Sequence, residues 1–195
     1  MAGYETIISG TSPSITAVTQ LDGTPIFSAT TGGITFGVPV SGAGGYATGV
    51  RQIVYATSST YASTSVVIPV DNTIPQITEG AEFLTATITP QSATSRLIVM
   101  LSTQAAPVNI STITLAIFRD ATANAIGSTC ETASTANTAI NLSCMASVIS
   151  GSTSATTFRM RLGANSGQVF INGSSGGAYF GGVSATSMSV IEVGA

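Results

Sequence analysis

Three carboxylates, Asp71, Glu79 and Glu82, lie close together in the 195-residue chain and could do chemistry. A pair of carboxylates can act as acid and base, and several carboxylate oxygens together can bind a divalent cation. The segment IPVDNTIPQITEG (68–80), which holds the first two, is also rich in turn signals. Its prolines are typical of strand exits, its Asp-Asn pair favours an Asx turn, and Gly80 tolerates a positive φ. We therefore predict a structural loop here, with neither a catalytic residue nor a metal ligand.

The amino-acid composition excludes most other catalytic chemistry. The chain has no histidine, no lysine and no tryptophan, so no imidazole can serve as a base or metal ligand and no lysine can form a Schiff base. Five basic residues against eight acidic ones give a net charge of −3, which leaves no basic stripe for a nucleic-acid backbone. We expect a protein that is not an enzyme, needs no cofactor and does not bind nucleic acid.

Two cysteines, Cys130 and Cys144, are the only soft metal ligands in the chain besides methionine. Their separation could join neighbouring strands through a disulfide, but both could also be free thiols, since buried cysteine often serves as a small apolar side chain. A cysteine-type zinc site needs further ligands that the chain lacks. A disulfide and two free thiols both stay open, and such a zinc site is excluded.

The apolar runs of the chain are short. LIVML at residues 97–101, one of the longest, falls far short of the ~20 residues that a membrane-spanning helix needs. The start, MAGYETIISG, lacks the basic region and the continuous apolar region of a secretory signal. We expect a protein that is made in the cytoplasm and does not insert into a membrane.

From Arg51 onward, short segments rich in β-branched and aromatic residues alternate with clusters of Gly, Pro, Asn and Ser. This pattern is typical of β-strands joined by turns, and no stretch has a convincing helical period. The clearest strand is TTFRMRLG (156–163), whose apolar residues share one face while its two arginines share the other. The pattern predicts an all-β fold, an antiparallel sandwich or jelly roll.

Residues 1–50 differ in composition from residues 51–195. Two short alternating runs flank Asp22-Gly23, which is the strongest hairpin signal in the chain. The following stretch, TGGITFGVPVSGAGGYATG, is rich in glycine and too poor in apolar residues to close a core alone. We predict a short β or extended N-terminal arm with a hairpin over 1–50, and one jelly-roll domain over 51–195.

Two of the predicted strands, RLIVML and SMSVIEV, are apolar on both faces. In the second, Met188 and Val190 point to one side of the strand, and Ile191 and Val193 point to the other. Such a strand must be covered on both sides. An opposite sheet can cover one side, and a neighbouring subunit is the natural cover for the other.

Two glycine-rich loops, GANSG (163–167) and NGSSGG (172–177), could suggest a phosphate site. Neither precedes a predicted helix, and neither ends in the Gly-Lys-Ser/Thr of a phosphate-binding loop. We predict exposed loops whose candidate ligand contacts are Asn165, Ser166, Asn172, Ser174 and Tyr179. Tyr179 and its neighbour Phe180 could form a platform for a sugar ring, or could instead pack in the core or an interface.

Several segments in the same order closely resemble a domain of tailed-bacteriophage virion proteins that is often found at the C-terminus of tail fibres. They are IPVDNTIPQITEGAEFLTATITPQSATSRLIV, IFRDATANAI and SATTFRMRLGANSGQVFINGSSGGAYFGGVSATSMSVIEV. The resemblance covers about residues 51–195. It implies a jelly roll of the tumour-necrosis-factor and complement-globular-head kind that forms a homotrimeric knob. The interface residues predicted for this trimer are Met188, Val190, Ile191 and Val193.

The resemblance does not cover residues 1–50, where longer members of the family would carry shaft and tail-attachment regions. The short arm favours a capsid decoration (cement) protein, a trimer that anchors to the major capsid protein by its arm. Such a protein would stabilise the shell because it binds only the assembled state. The alternative is a tail-fibre or receptor-binding tip, which is joined to tail proteins and recognises a host surface glycan or protein. Both hypotheses place the protein on the exterior of the virion.

Overall fold

The structure of the chain, a computed structural model, describes residues 5–8, 15–19, 25–30, 33–36 and 49–194, with side chains in the last range. The chain divides into two compact units, Met1–Ala47 and Thr48–Ala195. The domain boundary expected from the sequence, between residues 50 and 51, stays a prediction.

The first unit contains four strands that pair antiparallel in chain order. They are β1 (Glu5–Ile8), β2 (Ile15–Thr19), β3 (Pro25–Thr30) and β4 (Gly33–Phe36). Strands β2 and β3 pair with Val18 opposite Phe27, and the Asp22-Gly23 pair expected to turn between them lies outside the described residues. The glycine-rich stretch supplies β4, which the sparse apolar pattern did not predict.

The second unit is built of two larger antiparallel sheets, which we name sheet A and sheet B. Sheet A contains β5 (Val50–Ser58), β6 (Ala62–Thr64), β8 (Arg96–Pro107), β11 (Ile140–Ile149), β13 (Val169–Ile171) and β16 (Thr186–Val193). Sheet B contains β7 (Ala81–Ile88), β9 (Ser111–Arg119), β10 (Gly127–Ala133) and β12 (Thr156–Ala164). A small ribbon of β14 (Gly173–Ser174) and β15 (Gly177–Ala178) precedes a single 3-10 turn, Phe180–Gly182. The predicted all-β class is therefore confirmed.

The central strand of sheet A is β8. Along one edge it pairs with β11. Along its other edge it pairs with β16 and, further along, with β13. Strand β5 lies outside β16, and strand β6 lies outside β13. In sheet B the strand order is β10-β9-β12-β7. No helix in the described part of the chain is long and apolar enough to span a bilayer.

One core lies between the two sheets, and the period-2 alternation of the strands decides which residues enter it. On β12, Phe158, Met160 and Leu162 are fully buried, whereas Arg159 and Arg161 face outward, as the sequence predicts. The facing residues of β8, β9, β11 and β16 complete the same cluster. Burial of each large apolar side chain stabilises the fold by about 1.5–3 kcal/mol.

The outer face of sheet B is covered by the loop 65–80. Ile68 is fully buried against this face, where it approaches Gly163 so closely that a Cβ there would lie 3.0 Å from Ile68 Cγ1. Phe118, on the outward side of β9, is also fully buried. The loop is tied down by hydrogen bonds from Ile77 N to Ala123 O (2.8 Å) and from Ala125 N to Pro75 O (2.9 Å).

Two segments differ from the strands predicted by the sequence. TSVVIPV was expected to form a strand, but only its first residue does so, because Pro69 has no N–H for a ladder and the chain crosses here from sheet A to sheet B. Strand β10, GSTCETA, was not predicted, since it has no apolar alternation. It forms because β9 offers it an antiparallel partner over seven residue pairs.

Candidate functional site

The three carboxylates that could have formed a site have separate structural roles. Asp71 accepts hydrogen bonds from the side chain and the N–H of Thr73, at 2.6 and 2.7 Å, which form the predicted Asx turn and lower the pKa of the carboxyl. Glu79 accepts the N–H of Gln76 at 2.9 Å within the same loop. Glu82 instead pairs with an arginine of β12.

No group of three or more His, Cys, Asp or Glu side chains in the described part of the chain is arranged to hold a metal ion. Glu82 lies 3.0 Å from Arg159 Nη1 and 4.0 Å from Arg161 Nη1. Arg161 is also held by the carbonyl oxygens of Glu79 and Gly80. The Glu82 carboxylate is therefore shared between two guanidinium groups of sheet B.

The outer face of sheet A, by contrast, has no cover among the described residues of the second unit. The strand registers place apolar side chains side by side across β5, β16, β8 and β11. We name this surface the outer apolar face; its residues are Ile53, Tyr55, Ile98, Met100, Met145, Ile149, Ile191 and Val193. Ile53 is 60% exposed, Tyr55 63% and Met145 67%, which is a large apolar surface to leave in water.

The four residues of β16 that were predicted to form a subunit interface divide between the two faces of sheet A. Met188 and Val190 are fully buried in the core of their own chain, so they cannot touch a partner. Ile191 and Val193 point outward and are half-buried. The interface prediction therefore remains for Ile191 and Val193 only.

A cavity of about 200 Å³ lies between the edge strand β7 of sheet B and the ends of several strands of sheet A. We name it the Asn172 pocket. It is lined by Ser58, Thr60, Ala62, Glu82, Phe83, Ile171, Asn172 and Thr186. Among these, only Glu82 and Asn172 were singled out from the sequence, and neither was expected to line a pocket, because residues as far apart as Ser58 and Thr186 carry no local signal.

Asn172 is 2% exposed and holds the pocket together instead of reaching into solvent. Its Nδ2 donates to the carbonyl oxygens of Ser58 and Thr60, both at 3.0 Å, and its Oδ1 accepts from Thr186 Oγ1 at 3.1 Å. Its φ of 58° is a left-handed conformation that asparagine tolerates better than most residues. The predicted surface contact is therefore a buried anchor.

A projecting loop follows the pocket residue. The N–H of Tyr179 donates to Asn172 O at 3.1 Å, and beyond it Phe180 is 74% exposed and Val183 80% exposed. Phe180 has a φ of 52°, which is an unfavourable conformation for a bulky residue. Ser174 is half-buried, and its carbonyl accepts the hydroxyl of Tyr61 at 2.7 Å.

The other two predicted loop contacts, Asn165 and Ser166, belong to a different part of the surface. Asn165 Oδ1 accepts from Ser111 Oγ at 2.6 Å and from Thr112 N at 3.1 Å. Ser166 O also accepts from Ser111 Oγ. These bonds hold both residues at the start of β9, so the structure does not join them with Asn172, Ser174 and Tyr179 in one site.

Both cysteines are free thiols. Cys130 is exposed on β10 and Cys144 is buried on β11. Burial raises the pKa of the Cys144 thiol, and the main chain at Met145 opposes this only in part. The disulfide considered from the sequence is therefore not formed.

A buried carboxylate that the sequence did not single out lies at the far end of β16. Glu192 is fully buried, and its carboxylate accepts Gln52 Nε2 at 2.6 Å, Gln91 N at 2.9 Å and Ser92 N at 3.3 Å. Burial raises its pKa, but the hydrogen bonds from Gln52, Gln91 and Ser92 outweigh burial, so its pKa is lowered overall. All its partners are internal, which makes it a structural clamp.

Comparisons with known proteins identify the second unit. No curated protein matches the chain. A solved structure described as the EclA C-terminal domain, a sugar-binding protein, is similar at 17% identity with a TM-score of 0.33, over 58% of this chain and 74% of that one. The enzymatically active domain of tailspike protein 4 of bacteriophage CBA120 is similar at 16% identity with a TM-score of 0.28, over 62% of this chain but only 18% of that one. The model of the Pgp3 C-terminal domain family matches residues 64–195, which is more than half of the sequence, and the chain therefore belongs to that family.

Proposed function

We propose that this chain forms the receptor-binding tip of a bacteriophage tail fibre, a homotrimer on the exterior of the particle with no enzymatic activity. The observation that carries the proposal is the outer apolar face, which has no cover in the described second unit. A surface of this kind marks a site of protein association. Three copies packed around an axis would bury it, in a knob of the tumour-necrosis-factor jelly-roll kind that the sequence resemblance implies.

The surface of the domain supports a tip that binds a ligand. From Leu162 to Ile191 the chain has no charged residue, yet this stretch contains the exposed Phe180 and Val183. Exposed apolar and neutral polar groups on loops are suited to recognising an uncharged surface. A glycan or protein on the host cell is the partner that fits this surface, while tail proteins would hold the other end of the chain.

The capsid decoration hypothesis has less support. It rested on residues 1–50 as an arm that grips the major capsid protein, whereas the family match and the exposed loops lie in residues 64–195. A tip needs the knob and its loops, and a decoration protein needs the arm. The features that can be described therefore favour the tail-fibre alternative.

The copy number of the chain in purified virions tests this proposal. Quantitative mass spectrometry should find the chain at a few per cent of the major capsid protein, because fibres are far fewer than capsid subunits. A near-equal ratio would reject the tip and restore the decoration hypothesis. In parallel, the purified chain should adsorb to host cells and compete with the phage for them; an inert chain would also contradict the proposal.

A further inference from the structure

We propose that the Asn172 pocket binds a single ring of a neutral pyranose sugar. The inference rests on the proposed receptor-binding function, since it names the class of ligand and the place where it binds. The first argument is charge. Among the described residues, Glu82 is the only charged one that lines the pocket, and its carboxylate is paired with Arg159 at 3.0 Å. A charged ligand would therefore find no free ionic partner in the pocket, whereas a neutral ligand needs none.

The second argument is unused hydrogen-bonding capacity at the rim. Ser58 Oγ accepts the N–H of Thr60 at 3.3 Å, and its own O–H donates to no described residue. Thr60 Oγ1 makes no hydrogen bond to any described residue and lies on an exposed turn. A hydroxyl can both donate and accept, so two neighbouring hydroxyls match the vicinal hydroxyls of a sugar.

The third argument is the apolar part of the lining. Phe83, Ala62 and Ile171 line the same cavity as the hydroxyls. Pyranose rings have C–H groups on their faces and hydroxyls around their edges, and binding sites for such molecules combine an apolar wall with a few placed polar groups. The pocket has both.

The fourth argument is that the pocket is held in shape before any ligand arrives. The three side-chain hydrogen bonds of Asn172 tie the β5–β6 turn to the start of β16. Thr186 Oγ1 is further bonded to Thr103 Oγ1 at 2.7 Å in the interior. A site that is ordered in advance loses less entropy on binding.

The fifth argument is size. A volume of about 200 Å³ equals that of six or seven water molecules at roughly 30 Å³ each. This suits one sugar ring and is too small for a chain of several. The remainder of a glycan would lie outside, next to the loop that Tyr179 N connects to Asn172 O, where the exposed Phe180 is available for stacking.

The test is an NMR titration of the full chain with glucose, galactose, mannose, rhamnose and N-acetylglucosamine, and with glucuronic acid as the charged comparison. At least one neutral sugar should shift the amide signals of Thr60, Phe83 and Asn172 at millimolar concentration, and glucuronic acid should bind no more tightly. Thr60→Val should weaken binding about five- to tenfold, the loss expected for one hydrogen bond. Thr85→Val, on the outer face of β7, should bind like the unaltered chain.

Two results would overturn the inference. One is that none of the neutral sugars shifts these signals at tens of millimolar, and the other is that Thr60→Val binds as tightly as the unaltered chain. Host-cell adsorption separates this failure from that of the proposed function. If the chain adsorbs to cells equally well with and without Thr60→Val, the receptor-binding function stands and the sugar site in this pocket is rejected. If the chain binds a sugar in this pocket but does not adsorb to cells, the sugar site stands and the tail-fibre function is rejected.

Discussion

Met100 is the residue at which a charge should separate assembly from folding. It lies on the central strand β8, on the outer apolar face, and is 48% exposed in a single chain. Ser189 and Met145 lie beside it on the neighbouring strands. Because this side chain is not part of the core, Met100→Asp should leave the fold of each chain intact while placing a carboxylate in the proposed trimer interface.

The loss of trimer stability in Met100→Asp can be estimated from the burial of this side chain. Full burial of a methionine contributes about 1.5–3 kcal/mol, so burying the exposed half of Met100 contributes about 1 kcal/mol per subunit. Removing a carboxylate from water costs several kcal/mol more. The loss over three subunits is then at least about 6 kcal/mol, which weakens trimer formation by more than 10⁴-fold at ~1.4 kcal/mol per factor of ten.

Sedimentation velocity and circular dichroism of the full chain measure the two effects separately. The unaltered chain should sediment as a trimer, and Met100→Asp should sediment as a monomer with the same β-sheet spectrum. Thr85→Asp, which adds the same charge at an exposed position of sheet B, should remain trimeric. A trimeric Met100→Asp protein would refute the assignment of the outer apolar face to the interface.

Three further predictions concern stability and reactivity. Glu192→Gln should lower the free energy of unfolding by about 1–3 kcal/mol at pH 7, as several buried donors lose a carboxylate. Because the folded pKa of Glu192 is below the ordinary value of about 4.3, this difference should be complete above that pH, and in urea titrations it should shrink as the pH falls through the lowered pKa. A difference that is constant with pH would contradict the clamp. Gly80→Ala should lower the free energy of unfolding by about 2–4 kcal/mol, since Gly80 has a φ of 61° and a Cβ would lie 2.7 Å from Ile68 Cδ1. The control Gly151→Ala, at a φ of 70° in open space, should lower it by about 1 kcal/mol. If thermal unfolding shows the same loss of stability for both variants, the loop 65–80 is not packed on sheet B as described. Cys130 should react with a maleimide within minutes, and Cys144 should react only after unfolding. If mass spectrometry finds both cysteines labelled in the folded chain, β11 is not packed as described.

The sequence determined the class of the fold and much of its chemistry. Period-2 alternation identified strands such as β12, since Phe158, Met160 and Leu162 had to share one face whatever lay opposite them. Proline, the Asp-Asn pair and Gly80 likewise determined the turns around Asp71, because these signals act through the local backbone. The absence of histidine and lysine is a property of composition alone.

Only the tertiary structure decided which side of an apolar strand enters the core. Met188 and Ile191 look alike in sequence, and it is the register of β16 between β5 and β8 that buries the first and leaves the second outside. The Asn172 pocket joins residues as distant as Ser58 and Thr186, so no local pattern announces it. The carboxylate of Glu192 is tolerated inside for the same reason, because its hydrogen-bond donors come from segments that only folding brings together.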